Sequence, residues 1–400
     1  MKGFGVAALV AAMGLLMGAA VMAAPYQVAD GVFEPSKPDL GLKVAEGTET
    51  FTVFAPKATE DRFNNGVVLI PFKGRLYAQW QSSYRDEDSP DTWVAFSHSA
   101  DGEHWSAPEM LTGRGQGGGM YSSGGWLTDG ETLVAFVNVW PTGFQSGDGG
   151  FTDYRLSTDG INWSAPQRVT DTAGNPVAGI IEQDPHRLKS GRIVTAFHQR
   201  PGLVVSPFYT DDPLGVSGWV KGALPLIPHN ANAPHGQPVS RELEPSLFEA
   251  GDCVVMVFRD QASSYRQLAS QSCDGGNNWS LAEVTNMPDS RSKQSAGNLP
   301  DGRAYLVNAP NADRVRIPLA ITTGDGRCFN DSYLLRGAGD LQPLRTEGKY
   351  KRPGYHYPKS VVWGAYLYVG YATNKEDVQV TRVPLSSLKR GPERTCNADK

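Results

Sequence analysis

Ser99-Ala100-Asp101-Gly102-Glu103-His104-Trp105 is the first member of a series. The same order returns as Ser157-Thr158-Asp159-Gly160-Ile161-Asn162-Trp163 and, one residue longer, as Ser272-Cys273-Asp274-Gly275-Gly276-Asn277-Asn278-Trp279. A degenerate copy, Thr210-Asp211-Asp212, ends at Trp219, and a weaker one runs Thr323-Gly324-Asp325-Gly326-Arg327-Cys328-Phe329. Trp105, Trp163, Trp219 and Trp279 thus recur at roughly 60-residue intervals, the mark of a chain built from one repeated supersecondary unit.

A second series keeps the same beat. Gly74, Gly130, Gly191, Gly251, Gly302 and Gly364 each precede a β-rich run, as in Gly191-Arg192-Ile193-Val194-Thr195-Ala196-Phe197. Each unit reads strand, tight turn, strand, loop, strand, Ser-x-Asp turn, strand, which is one four-stranded blade. The strands are short, rich in Val, Tyr, Phe and Leu, and no segment shows a helical period. Six hairpin glycines predict an all-β, six-bladed β-propeller. The last blade has strands near 357–363, 365–372 and 377–384, and an N-terminal strand at Thr50–Pro56 would complete it and close the ring. Residues 25–49 are unassigned and leave room for a seventh blade.

Composition agrees with a folded, turn-rich chain: 400 residues, 40% hydrophobic, Gly 45 and Pro 28. A net charge of -5 gives no reason to expect nucleic acid as a partner. Lys2, the apolar run Gly5–Met22 and the small pair Ala23-Ala24 read as a secretory signal over residues 1–24, with a membrane anchor as the alternative. A single propeller domain over 25–390 and a tail over 391–400 follow, and the expected product is a secreted or periplasmic monomer with no anchor after cleavage. The four cysteines of an exported chain suggest disulfides. Cys253 and Cys273 fall on neighbouring antiparallel strands in near register, and Cys328 with Cys396 would pin the tail. Zinc is the weaker alternative, since no Cys-x-x-Cys pair is present.

In a propeller, first-strand starts and second-strand ends meet at one rim round the axis. Here the starts carry Asn64 and Asn65, Tyr121, Gln183 and Asp184, Glu242 and Glu244, Lys293 and Gln294, and Tyr355 to Tyr357. The ends carry Gln81 with the following Asp86, Asn138 and Trp140, His198 and Arg200, Arg259 and Asp260, Asn308, and Asn374 with Lys375. Charged, aromatic and imidazole side chains therefore converge on one rim.

The three Ser-x-Asp-Gly turns resemble the Asp-boxes of the sialidase-type β-propellers. In that family these turns are structural and lie away from the site. The resemblance extends to the rim. Glu244-Pro245-Ser246-Leu247 and Arg259 look like the family's glutamate and second arginine, and Arg316 in Arg316-Ile317-Pro318-Leu319 matches the third, with Arg314 as a rival. Asp86, in Tyr84-Arg85-Asp86-Glu87-Asp88, sits where the general acid belongs. Tyr357 or Tyr355, in Gly354-Tyr355-His356-Tyr357-Pro358, sits where the nucleophilic tyrosine belongs. Two departures stand out: Phe63-Asn64-Asn65-Gly66 replaces the family's Phe-Arg-Ile-Pro, and Gln81 replaces a pocket arginine. The resemblance implies a secreted enzyme that cleaves a glycosidic bond at an acidic sugar, acting on an acidic oligosaccharide or polysaccharide. Asp86, Glu244, Tyr357 and His198 are the candidates for chemistry. Arg259, Arg316, Arg200, Tyr355, Trp140 and Gln81 are the candidates for substrate binding.

Two alternatives stay open. The chain also resembles propeller lyases of uronate-containing glycans, such as ulvan and rhamnose–glucuronate lyases, and a related rhamnosidase family. That chemistry needs a cation on the uronate and a His or Tyr to move the proton; His198, Arg200 and Tyr209, or Tyr355, His356 and Tyr357, would supply it. The other alternative is a glycan-binding propeller without turnover. No metal or cofactor is implied.

Overall fold

The computed structural model describes residues 23–182, 185–200, 203–229, 239–312, 316–389 and 394–396. Its sheets form six blades of a β-propeller. Blade one comprises Phe63–Phe72, Arg75–Ser83, Trp93–Ser99 and Glu109–Met110, and blade two Met120–Thr128, Leu133–Trp140, Phe151–Ser157 and Gln167–Arg168. In blade three the first strand is split into Ile180–Ile181 and His186–Arg187, both paired with Ile193–Gln199; Val204–Thr210 and Val220–Lys221 follow. Blade four is Glu242–Ala250, Cys253–Asp260, Arg266–Ser272 and Glu283–Pro288. Blade five begins with Ser295–Asn298, Ala304–Asn308, Leu319–Gly324 and Cys328–Arg336. Blade six, Tyr355–Trp363, Tyr366–Thr373 and Asp377–Pro384, is completed by the N-terminal strand Glu49–Phe54, which closes the ring as expected.

Residues 25–49 build no seventh blade. Gln27–Val28 and Lys43–Val44 instead run parallel to Cys328–Arg336 and cover the outer edge of blade five. An exposed edge strand presents unpaired amides and carbonyls, and covering it removes that liability. The disulfides are Cys253–Cys273 and Cys328–Cys396, so the tail is pinned beside the same edge. Most of the signal segment read at 1–24 lies outside the described residues, as does most of the 391–400 tail.

All six hairpin glycines have positive φ, from 58° at Gly364 to 98° at Gly130, a region that costs other residues energy. The Ser-x-Asp turns are closed by their own side chains. Ser99 Oγ donates to Asp101 Oδ1 (3.0 Å), and that oxygen also accepts from the amides of Glu103 and His104 (both 2.8 Å). Asp159 and Asp274 repeat the arrangement. In the degenerate copy Asp212 takes the part, accepting from Ser217 N (2.8 Å), while Asp211 pairs with Arg192.

Each of the turn tryptophans, Trp105, Trp163, Trp219 and Trp279, packs into the seam between two blades. Trp163 meets Phe96 of blade one and Trp126 of blade two, with centroids 5.7 and 5.8 Å away. Six large apolar clusters fill the six seams, and the one joining blades six and one contains Val53, Leu69, Trp80, Tyr368 and Val380. Burial of these seams supplies the main favourable term and holds the strand ends round the axis in fixed positions.

Candidate active site

The first strands of blades one, four and six carry the same irregularity. Pairing slips between Asn65 and Val68, between Leu243 and Ser246, and between His356 and Lys359. The residue that opens each bulge is left-handed: Gly66 at φ 66°, Glu244 at 53° and Tyr357 at 54°. Pro245 and Pro358 follow the last two; with no amide to give, proline suits a gap in the ladder. For non-glycine residues this conformation costs about 1–3 kcal/mol and persists only where the surroundings hold it. The bulges turn Gly66, Glu244 and Tyr357 toward one cavity of about 490 Å3 on the propeller axis.

Charge dominates one side of that cavity. Arg259 Nη1 donates to Glu244 Oε2 (2.9 Å) and its Nη2 donates to Gln261 Oε1 (3.0 Å). Burial opposes charge on both, but their mutual attraction prevails: Glu244 is held below the usual carboxylate range and Arg259 above its ordinary value. Lys293 and Lys375 lie on the ring of Tyr357, with Nζ atoms 5.1 and 5.4 Å from its centroid. Lys375 also pairs with Glu87, and Glu87 Oε1 accepts from Asn65 Nδ2 (3.3 Å). Burial, then Glu244 and Glu87, push the Tyr357 phenol well up, against Arg259 and Arg316, so at rest it holds its proton. Arg316 is buried, and its Nε donates to Ser292 Oγ (3.1 Å). Asp88, Arg291 and Arg352 add further charges to the lining. Apolar groups also line the cavity, Met120, Trp140, Phe144, Ile180, Leu203 and Leu243, beside Ser122, Ser123 and Asn138 of blade two.

Among the residues expected from sequence, Glu244, Tyr357, His198, Arg259, Trp140 and Gln81 line this cavity, and Arg316 stands just behind it. Three do not reach it. Asp86 turns away: its Oδ1 accepts from the amide of Lys349 (2.8 Å) and from Arg85 Nε (3.1 Å), so it fastens the blade-one loop to the loop before blade six. From that loop Glu87 and Asp88 face the cavity instead. Arg200 lies behind the aromatic wall, 5.3 and 5.2 Å from the centroids of Trp140 and Phe144, and donates to the Phe144 carbonyl (3.3 Å). Tyr355 points into the seam between blades five and six, where its hydroxyl donates to the Gly337 carbonyl (3.0 Å). Gln183, Asp184 and Arg314 lie outside the described residues.

The residue that sequence reading missed is Glu182. Its Oε1 is 3.1 Å from His198 Nδ1 and its Oε2 accepts from Lys293 Nζ (2.7 Å). The only sequence signal is an acid directly after Ile180-Ile181 at the start of blade three, two residues before Asp184. Burial disfavours its charge, yet Lys293 and His198 outweigh burial and hold the carboxyl below the ordinary range. The lyase set is not assembled: Tyr209 lies under Arg192 (4.4 Å), and His356 Nε2 donates to the Arg352 carbonyl (2.8 Å).

A family model described as a BNR repeat-like domain matches residues 74–369. The chain belongs to this family. No curated protein matches this BNR repeat-like chain. Among solved structures it resembles a sialidase at 17% identity and a TM-score of 0.56, covering 90% of this chain but 35% of that one. It resembles the Trypanosoma rangeli sialidase in complex with sialic acid at 12% identity and a TM-score of 0.62, covering 87% of this chain and 60% of that one. A protein of unknown function from Dyadobacter fermentans aligns over 84% of this chain and 99% of its own length, at 17% identity and a TM-score of 0.61. At these identities the likeness is one of fold, and the BNR repeat-like protein is a sialidase-like propeller.

Proposed function

We propose that this propeller is an exported glycoside hydrolase of the sialidase type, acting at an acidic sugar. One observation carries the reading: Glu244 and Tyr357, in matching bulges of blades four and six, face one cavity among four cations, Arg259, Arg316, Lys293 and Lys375. A phenol attacks better than a carboxylate where the substrate is itself negative, and the arginines at the cavity, Arg291 and Arg352 in its lining with Arg316 behind, suit a substrate carboxylate. Arg291 and Arg352 take the sugar carboxylate, Arg316 adds positive charge from behind them, and Arg259 is shared with Glu244. Tyr357 Oη bonds to the anomeric carbon as its proton passes to Glu244, and the glycosidic C–O bond breaks. Asp88 gives its proton to the departing oxygen and then activates the water that releases the sugar. The nearby cations stabilise the phenolate character that grows at Tyr357.

Elimination is the less favoured chemistry. Both ring nitrogens of His198 are engaged, Nδ1 with Glu182 and Nε2 with the amide of Glu244 (3.4 Å), which leaves neither for a substrate proton. Two disulfides fit an oxidising compartment, and a secreted or periplasmic location is part of this proposal.

The test is the purified protein on sialosides, ulvan and rhamnose-capped glucuronate glycans, followed by released reducing sugar and by ultraviolet absorbance of an unsaturated uronate. Sugar release without absorbance, abolished in Tyr357→Phe, supports hydrolysis. Rising absorbance retires it in favour of elimination. Saturable binding with no product from any glycan makes the propeller a binding module.

A further inference from the structure

Glu182 comes from blade three, yet it touches partners of both members of the proposed reactive pair. Its Oε1 faces His198 Nδ1 (3.1 Å), and the other ring nitrogen, Nε2, accepts from the amide of Glu244 (3.4 Å). An amide can only donate, so this contact selects the tautomer with hydrogen on Nδ1, and Glu182 is the acceptor for that hydrogen. The imidazole thus holds the backbone of a residue that sits at φ 53°, a conformation that needs outside support. On its other side Glu182 Oε2 accepts from Lys293 Nζ (2.7 Å), and that ammonium rests on the face of Tyr357, 5.1 Å from the centroid. A cation on a phenol face gains attraction as the ring acquires negative charge. Glu182, His198 and Lys293 are all largely buried, with side chains 12%, 4% and 7% exposed, so little solvent screens these contacts.

From this we infer that Glu182 is the positioning residue of the site: through His198 it sets the backbone of Glu244, and through Lys293 it sets the cation on Tyr357. The inference rests on the reading that Tyr357 and Glu244 form the reactive pair, but its structural half stands apart from any turnover. Glu182 itself exchanges no proton with substrate. Its carboxylate stays ionised throughout.

Two readouts on the full chain separate these halves. In nitrogen-labelled histidine spectra, wild-type His198 shows the Nδ1–H tautomer with that proton shifted downfield by the Glu182 carboxylate, and Glu182→Gln loses the downfield shift. Hydrogen exchange at the Glu244 amide speeds up at least about tenfold in His198→Phe, as a locally released bulge should. On 4-methylumbelliferyl N-acetylneuraminide, Glu182→Gln lowers kcat about 100-fold with KM little changed, and Glu182→Asp restores part of it. Should Glu182→Gln fail to fold, Lys293→Met tests the Tyr357 arm with the same expected loss in kcat. An unchanged His198 Nδ1 proton shift in Glu182→Gln, or unchanged Glu244 exchange in His198→Phe, overturns the positioning role. So does a Glu182→Gln or Lys293→Met enzyme with wild-type kcat. If the wild type cleaves no acidic glycoside, the hydrolase reading falls alone, and the tautomer and exchange measurements still decide the inference.

Discussion

Glu244 and Tyr357 occupy the same backbone position in blades four and six, with φ of 53° and 54°, each opening a bulge and each followed by proline. The third equivalent position, on blade one, is Gly66, which brings no side chain. One bulge geometry therefore serves three blades, and only two of them carry a reactive group.

Removing either group slows turnover, by different amounts. Tyr357→Phe keeps the fold and lowers kcat by at least about a thousandfold, while Glu244→Gln lowers it by about 100- to 10,000-fold, the usual range for a lost general base. Steady-state kinetics on the glycan that the wild type cleaves, with circular dichroism as the folding control, checks both.

Arg259 and Glu244 form a largely buried ion pair, with side chains 13% and 14% exposed. Arg259→Met leaves Glu244 as an uncompensated buried charge and costs about 3–5 kcal/mol in urea unfolding. The double variant Arg259→Met, Glu244→Gln recovers much of that, because no buried charge is left without its partner. A double variant no more stable than the single one would show that the penalty lies in packing.

Asp86 and Asp88 separate by leaving group. Asp86→Ala loses the clasp to the Lys349 amide, so KM rises severalfold while kcat holds, at a stability cost of about 1 kcal/mol. Asp88→Asn lowers kcat strongly for a sugar leaving group and little for a 4-nitrophenyl one, which needs no acid. The reverse assignment of these two profiles would return the acid's role to Asp86.

Asp289 supplies a pH signature. It is fully buried, accepts from Asn308 Nδ2 and the Ser292 amide (both 3.1 Å), and burial raises it from 3.8 to about 6, against the pull of Arg259. The folded state thus holds this proton more tightly than the unfolded chain does. Its contribution to stability is greatest below pH 3.8 and is lost as pH rises toward about 6. Relative to Asp289→Asn, the wild type should lose up to about 3 kcal/mol across that window. Urea melts of both proteins through the window check it, and parallel curves would show that Asp289 titrates normally. Ser292 also orients Arg316, so the same substitution is expected to loosen the loop bearing Arg291 and Lys293.

What the sequence determined by itself was the local part. A Ser-x-Asp turn closes with its own side chains, and a hairpin glycine needs only its neighbours to take a left-handed φ, so the period, the six blades, an N-terminal closing strand (read as Thr50–Pro56, found at Glu49–Phe54) and the pairing of Cys253 with Cys273 were all legible. Glu244, Arg259 and Tyr357 were legible too, because strand ends of a propeller converge by topology. The tertiary structure decided the rest. Which acid of Asp86-Glu87-Asp88 turns inward depends on the amide of Lys349, 263 residues away, and Glu182 gains its place from Lys293, 111 residues away. Arg200 and Tyr355 are ordinary rim residues in the sequence, yet one braces the aromatic wall and the other fills a seam. Such choices rest on contacts between blades, which form only when the ring closes, and no stretch of neighbouring residues encodes them.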